Sequence, residues 1–128
     1  MPKHRILVID DESLMREYVE EAMRRAGHAV DIAPSGAEGL RLFERGQHDL
    51  VITDLKMTPM DGLEVLSKAR ALAPETPVIV MTAYGTIETA VTALKNGAAD
   101  YILKPFTPDA LNIAVNRALE RRRLTEET

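Results

Sequence analysis

The chain has 128 residues, and 16 Lys and Arg residues against 20 Asp and Glu residues give it a formal net charge of −4. A chain of this length forms one domain, and its hydrophobic content of 45% is sufficient for one core. The lack of Cys excludes disulfides and thiolate metal sites, and the acidic balance argues against nonspecific binding of nucleic-acid phosphates. No apolar run is long enough to span a membrane or to form a signal peptide, so we expect a cytoplasmic protein.

Five short apolar runs rich in Val and Ile are typical of β-strands that are buried on both faces. After each run, apolar residues recur at the spacing of one helix face, which predicts five amphipathic helices. The predicted strands are, in chain order, residues 5–9, 29–33, 50–53, 77–81 and 101–103. The apolar positions of the helices that follow them are Met15, Val19, Ala22, Met23 and Ala26; Leu40 and Phe43; Leu63, Leu66 and Ala69; Ile87, Ala90, Val91 and Leu94; and Leu111, Val115, Ala118 and Leu119.

Cap residues agree with these helix boundaries. Gly27 and Gly97 lie just past the first and fourth helices, where a left-handed cap favours a residue without Cβ. Thr107 is a suitable cap for the fifth helix, and Pro108 and Asp109 favour its first turn.

Strands that alternate with helices need crossover connections, which place helices on both faces of a parallel sheet. The sequence therefore predicts an α/β domain with a doubly wound, five-stranded parallel sheet and five helices. Such a sheet binds its ligand outside the carboxyl ends of the strands. Because the apolar pattern ends after Leu119, we assign residues 1–120 to the domain and residues 121–128 to a helix end or the start of a linker.

Polar residues follow four of the predicted strands. These are Asp10, Asp11 and Glu12 after the first strand, Asp54 after the third, Thr82 after the fourth, and Lys104 and Pro105 after the fifth. A single Asp after a strand is most often a turn former or a helix cap. Three acids that meet in one cleft, however, repel one another and raise at least one pKa unless a cation joins them. Mg²⁺ is the simplest such cation, because it prefers oxygen ligands.

Lys104 and Thr82 indicate phosphoryl chemistry at this acidic cleft. An ammonium group and a metal ion offset the charge of phosphoryl oxygens, and a hydroxyl group orients one of them. A carboxylate supplies the attacking oxygen. The sequence therefore predicts a phosphoryl-group site with an Asp nucleophile.

Several separated motifs resemble the response-regulator receiver domains of two-component signalling. They are residues 6–12 (ILVIDDE), 54–57 (DLKM), 60–62 (MDG), 81–83 (MTA) and 103–106 (LKPF). The stretch from Thr82 to Tyr101 is most similar to the receivers of nitrogen-regulatory enhancer-binding activators. The resemblance covers essentially the whole chain and implies a flavodoxin-like sheet with the strand order 2-1-3-4-5.

The resemblance implies that Asp54 accepts a phosphoryl group from the histidine of a sensor kinase. It assigns Mg²⁺ to Asp11, Asp54 and the backbone carbonyl of Lys56 as direct ligands, and to Asp10 through a bridging water. Phosphorylation of Asp54 would replace its single negative charge with a charge of about −1.5 to −2 and would add strong hydrogen-bond acceptor oxygens. The pocket would then rearrange its donors, which is the basis of a conformational switch.

Four further roles follow from the same resemblance. Lys104 would pair with the phosphoryl oxygens, and Thr82 would swing inward to hydrogen-bond one of them. Tyr101 matches the switch aromatic, which turns toward the core as Thr82 vacates space; without the resemblance it is simply a half-buried strand residue. The Lys104–Pro105 peptide bond is expected to be cis, although most bonds before Pro are trans.

The loop after Asp54 departs from the family pattern. The family usually has Pro directly after the position of Met57, whereas here Thr58 precedes Pro59. Thr58 is therefore expected to be extended, and the loop that offers the Lys56 carbonyl is expected to differ in shape. In the family, the positions of Lys56 and Tyr84 overlook the acyl phosphate and tune its hydrolysis.

The resemblance also implies partners. In the activator family the receiver precedes an ATPase and a helix-turn-helix domain, so we expect output modules outside this chain and a homodimer formed by the fourth and fifth βα units. We expect neither membrane binding nor a direct contact with nucleic acid. The run from Arg121 to Arg123 is interpreted as a solvated helix end, favourable near the negative end of the helix dipole.

Two alternatives belong to other functional classes. A Mg²⁺-dependent phosphohydrolase of the haloacid dehalogenase type also forms an aspartyl phosphate, but it carries Asp-x-Asp after its first strand, where this chain has Asp10, Asp11 and Glu12. A pseudo-receiver would be an interaction module without phosphoryl chemistry. The intact set of Asp54, Thr82 and Lys104 argues against that reading.

Overall fold

The computed structural model describes residues 2–83 and 85–127, with side chains up to residue 124. Strands and helices alternate along the whole chain. The strands are β1 (Arg5–Ile9), β2 (Ala29–Ala33), β3 (Leu50–Asp54), β4 (Val78–Thr82) and β5 (Asp100–Leu103). The helices are α1 (Ser13–Arg25), α2 (Gly36–Arg45), α3 (Gly62–Leu72), α4 (Ile87–Lys95) and α5 (Pro108–Glu127).

The five strands form one parallel sheet with the order β2-β1-β3-β4-β5. The predicted doubly wound α/β fold and its strand order are therefore confirmed. The chain leaves β1 toward β2 on one side and returns to β3 on the other, so the strand order reverses between β1 and β3. Ligands of open α/β sheets bind at such a reversal, outside the carboxyl ends of the strands.

Two hydrophobic cores cover the two faces of the sheet, because successive strand residues point to opposite sides. In β1, Ile6 and Val8 belong to the core shared with α1 and α5, whereas Leu7 and Ile9 belong to the core shared with α2, α3 and α4. This burial on both faces explains why the strands are continuously apolar rather than alternating.

The predicted helix ends agree with the caps that form. Gly27 and Gly97 have φ values of 97° and 99°, a left-handed conformation that side chains with a Cβ rarely adopt. The Thr107 hydroxyl accepts a hydrogen bond from the Ala110 N–H at 3.1 Å, as expected for the start of α5. Ser35 and Asp61 cap α2 and α3 in the same way.

Helix α5 continues to Glu127 although its apolar pattern ends at Leu119. The Arg122 guanidinium lies 2.8 Å from the Asp49 carboxylate, and Arg121 donates to the Ala99 carbonyl at 2.9 Å. The arginine run is thus not uniformly solvated: Arg121 is exposed but Arg122 is half-buried, and their contacts join the end of the helix to the segments just before β5 and β3. Within the described residues, no helix combines the length and apolarity that crossing a membrane requires.

Candidate functional site

The strand ends bring the predicted acids together where the strand order reverses. One carboxylate oxygen each from Asp10, Asp11 and Asp54 lies within 4.8 Å of the other two. Asp10 and Asp54 are 0% and 6% exposed, whereas Asp11 is exposed to solvent. The cluster thus forms an acidic pocket with two buried carboxylates and one accessible carboxylate.

Lys104 reaches the same pocket from the end of β5. Its Nζ lies 3.1 Å from Asp10 Oδ2 and 3.3 Å from Asp54 Oδ1, and its side chain is 11% exposed. One ammonium group therefore contacts two carboxylates that belong to different strands. Three carboxylates and one ammonium group thus meet here, so Asp10, Asp11, Asp54 and Lys104 together have a negative formal charge.

Burial and charge shift the pKa values of this pocket. The pKa of Asp54 is raised above its ordinary value, first because burial disfavours the carboxylate and second because Asp10 lies beside it; Lys104 opposes the shift without cancelling it. Burial alone would lower the pKa of Lys104, but the charges of Asp10 and Asp54 outweigh burial and raise it. Lys104 is therefore firmly cationic at neutral pH.

Asp10 is held by its neighbours on every polar side. Its Oδ1 accepts a hydrogen bond from the Glu12 N–H at 2.9 Å, and its Oδ2 contacts Lys104. Its backbone carbonyl accepts a hydrogen bond from Arg16 Nη1 at 2.8 Å. Both carboxylate oxygens of Asp10 are therefore engaged, whereas Asp11 is the exposed carboxylate of the cluster.

Arg16 is a site residue that the sequence analysis missed. It is half-buried on α1, and its guanidinium orients the peptide that joins Asp10 to Asp11. The only sequence signal is a cation six residues after Asp10, at the start of an amphipathic helix. That spacing is not specific, because most arginines in such helices are simply solvated.

The loop after Asp54 closes tightly on the end of β3. The Gly62 N–H donates to the Leu55 carbonyl at 2.9 Å, and a Cβ at Gly62 would overlap the Asp54 carbonyl oxygen. Lys56 is exposed between buried neighbours. The Thr58–Pro59 peptide bond in this loop is cis.

Thr82 and Tyr101 lie on neighbouring strands but in different surroundings. Thr82 ends β4 and is fully buried, and its backbone pairs with Leu103. Tyr101 is half-buried on β5, and its hydroxyl lies 2.9 Å from Thr89 Oγ1 of α4. The Lys104–Pro105 peptide bond is cis. Tyr84, the other predicted hydrolysis-tuning residue, lies outside the described residues.

The side chains of the pocket fit a hard divalent cation. The clustered donors are carboxylate oxygens, the ligands that Mg²⁺ prefers, and Asp11 offers an accessible one. The pKa of Asp54 is raised first by burial and then by the charge of Asp10, and Lys104 does not cancel this rise. An additional cation among the three carboxylates would relieve their repulsion.

Comparisons with known proteins agree with this geometry. Residues 6–116 match the family described as response regulator receiver domain. The chain is 42% identical over 97% of its length to the regulatory protein AtoC of Escherichia coli, and 39% identical over 94% of its length to the transcriptional regulatory protein ZraR of Klebsiella oxytoca. It spans 27% of the length of each of these curated relatives. The predicted similarity to nitrogen-regulatory activators is confirmed by relatives of this kind.

Solved structures show the same relationship. A receiver domain protein from Clostridium thermocellum has a TM-score of 0.90 and 38% identity, with 95% of this chain and 98% of that chain covered. NtrX from Brucella abortus in complex with ADP has a TM-score of 0.93 and 36% identity, with 99% of this chain and 29% of that chain covered. The chain belongs to the response regulator receiver domain family and has a signalling role in two-component systems.

Proposed function

We propose that Asp54 is the phosphoacceptor and takes a phosphoryl group from the histidine of a sensor kinase. The observation that carries the proposal is the position of its carboxylate, which lies 3.3 Å from Lys104 Nζ and within 4.8 Å of carboxylate oxygens of Asp10 and Asp11. An Asp54 oxygen attacks phosphorus, the bond from phosphorus to the imidazole nitrogen breaks, and the nitrogen leaves with the bonding electron pair. The product is an acyl phosphate on Asp54.

The cofactor in this proposal is Mg²⁺. Asp11, Asp54 and the Lys56 carbonyl would hold it directly, and Asp10 would hold it through a water. When bound, the ion offsets negative charge on the phosphoryl oxygens. Lys104 is already within contact of Asp54, so its ammonium can follow the phosphoryl oxygens when the acyl phosphate forms. The Thr82 hydroxyl donates a hydrogen bond to one of these oxygens.

The same proposal covers the switch and the lifetime of the phosphorylated state. Phosphorylation changes the charge on Asp54 from −1 to about −1.5 to −2. Thr82 then moves toward the phosphoryl group, and Tyr101 turns toward the space that Thr82 leaves. Lys56, which is exposed beside the site, and Tyr84 control the access of water to the acyl phosphate.

We further propose that the domain controls an ATPase and a DNA-binding module that share its full-length protein, as the similarity to transcriptional regulators suggests. In the same proposal, residues 1–120 form the receiver domain, and residues 121–128 are a helix end or the start of a linker. In this account the domain works in the cytoplasm, forms a homodimer, and carries out no chemistry except on Asp54. The DNA contact belongs to the output module.

Mass spectrometry after incubation with Mg²⁺ and acetyl phosphate tests the proposal. We expect the wild-type domain to gain one phosphoryl group, Asp54→Asn to gain none, and Asp109→Asn, which removes an exposed Asp of α5, to behave as wild type. Turnover of many equivalents of acetyl phosphate would instead indicate a hydrolase. An unmodified wild-type domain would indicate a pseudo-receiver, and either result would overturn the proposal.

A further inference from the structure

Helix α4 is weakly anchored and therefore depends on its caps. It has only nine residues, and Ala93 is its one fully buried residue among those described. Ile87, Val91 and Leu94 are exposed although they are apolar. A helix of this length is marginal in water without packing, so its terminal hydrogen bonds have an unusually large share in its stability.

The first turn of α4 is held by a reciprocal capping box. The Thr86 hydroxyl accepts a hydrogen bond from the Thr89 N–H at 3.1 Å, and the Thr89 hydroxyl accepts one from the Thr86 N–H at 3.1 Å. Two backbone donors that the helix cannot satisfy itself are therefore paired by these two threonines.

Tyr101 joins this capping box from β5. Its hydroxyl lies 2.9 Å from Thr89 Oγ1, and Thr89 Oγ1 also donates to the Thr86 carbonyl at 3.0 Å. A hydroxyl group has one proton and two lone pairs. With the Thr89 proton directed to the Thr86 carbonyl, the Tyr101 hydroxyl donates to Thr89 Oγ1, which also accepts from the Thr86 N–H and lies 3.1 Å from Thr86 Oγ1.

We propose that Thr89 is a positioning residue that couples Tyr101 to the first turn of α4. While Tyr101 occupies its half-buried position, its hydroxyl completes the hydrogen bonding of Thr89 and thereby stabilises the capping box. When Tyr101 moves away, Thr89 loses a donor and the first turn of α4 opens more often. The link to phosphorylation rests on the proposed function, whereas the link between Tyr101 and α4 does not.

Amide hydrogen exchange measured by NMR on the unphosphorylated chain tests this coupling. We expect Tyr101→Phe to speed the exchange of the Thr86 and Thr89 amides by about 2- to 10-fold, which corresponds to one net neutral hydrogen bond. Thr89→Val should speed it at least as much, and Thr89→Ser, which keeps the hydroxyl, should restore the wild-type rate. Should Thr89→Val fail to fold, Tyr101→Phe and Thr89→Ser decide the question.

Two matched controls remove comparable hydroxyl groups. Thr92→Val removes a hydroxyl of the same helix that donates to the Glu88 carbonyl at 2.9 Å, and Tyr18→Phe removes a tyrosine hydroxyl that donates to the Phe106 carbonyl at 2.7 Å. Both variants should leave the exchange of the Thr86 amide unchanged. In the double variant, Tyr101→Phe should add nothing to Thr89→Val. Additive effects, or a wild-type rate in Tyr101→Phe, would overturn the proposal.

Phosphorylation supplies a separate measurement. With Mg²⁺ and beryllofluoride, a mimic of the phosphoryl group, we expect faster exchange of the Thr86 and Thr89 amides in the wild type and little further change in Thr89→Val. An unchanged wild-type rate despite bound beryllofluoride would overturn the link to switching. If beryllofluoride does not bind at Asp54, the proposed function fails, and the comparison of unphosphorylated variants still decides whether Thr89 couples Tyr101 to α4.

Discussion

Lys104 and Asp10 are 94 positions apart in the chain, yet Lys104 Nζ lies 3.1 Å from the Asp10 carboxylate. The contact spans the carboxyl edge of the sheet from β5 to β1, and the same ammonium lies 3.3 Å from Asp54 on β3. The Lys104 ammonium therefore joins the end of β5 to the ends of β1 and β3, where Asp10 and the proposed nucleophile Asp54 lie. We expect the free energy of unfolding and its pH dependence to change when this contact is removed.

Replacing Lys104 by Met should destabilise the domain. Asp10 and Asp54 would stay buried without their cation, and the expected loss is about 1–3 kcal/mol of unfolding free energy at pH 7. The loss should shrink in acid as Asp54 becomes protonated. Urea unfolding in the presence of EDTA measures it, with the exposed Lys68→Met as the control that removes the same charge from α3. Equal stability of the two variants would contradict the prediction.

Asp54 should make the domain less stable as the pH rises. Its pKa is raised in the folded state above the ordinary value of 3.8, mainly by burial, so the native state binds this proton more tightly than the unfolded state. The unfolding free energy therefore falls between pH 3.8 and the raised pKa. Asp54→Asn should abolish this fall and be more stable than the wild type at pH 7 without metal. A series of urea titrations across pH tests it, and a less stable Asp54→Asn variant would refute it.

Magnesium should stabilise the folded domain. A ligand that binds only the native state raises the unfolding free energy by about 2.7 kcal/mol at 100 times its dissociation constant. Thermal unfolding with Mg²⁺ should therefore occur at a higher temperature, and EDTA should reverse the shift. Asp11→Asn should lose most of the response, whereas Glu17→Gln, an exposed acid of α1, should keep it. Similar responses from both variants would mean that the ion acts only on the net charge.

Arg16→Met should weaken Mg²⁺ binding without removing a carboxylate. The variant loses the 2.8 Å hydrogen bond to the Asp10 carbonyl, so the peptide that carries Asp11 is less well oriented. Partners that orient metal ligands typically contribute about tenfold or more in affinity, and we expect about a tenfold loss by calorimetry. Arg16→Lys should recover part of it. Arg25→Met, which breaks an exposed pair with Glu21 on the same helix, is the control and should bind Mg²⁺ as the wild type does.

Gly62→Ala should be more harmful than Gly36→Ala. The new Cβ at position 62 would overlap the backbone of Asp54 and Leu55, which cannot move without displacing the proposed nucleophile. We expect a loss of about 1–3 kcal/mol in unfolding free energy and slower phosphorylation from acetyl phosphate. At Gly36 the Cβ would meet only side chains, those of Val65 and Met60. A larger loss in Gly36→Ala would show that backbone crowding at Gly62 is unimportant.

The sequence alone was sufficient for the element order, the parallel sheet and the edge at which the site lies. Apolar periodicity and helix caps are local signals, and the crossover rule turns strands that alternate with helices into one topology. The positions of Asp10, Asp54 and Lys104 after apolar runs then placed them at one edge of the sheet. Their chemical roles came from the resemblance to receiver domains, which depends on motifs spread over the whole chain.

Only the tertiary structure decided which polar groups contact one another. Asp10 is buried and Asp11 is exposed, although the two acids are adjacent in the chain. The contacts of Arg16 with the Asp10 carbonyl and of Thr89 with Tyr101 join residues on different elements, so no local pattern predicts them. The last turns of α5 are likewise held by Arg122 and Asp49, which are 73 positions apart. Periodicity reports which face of an element is buried, whereas a hydrogen bond between elements requires distances that only packing sets.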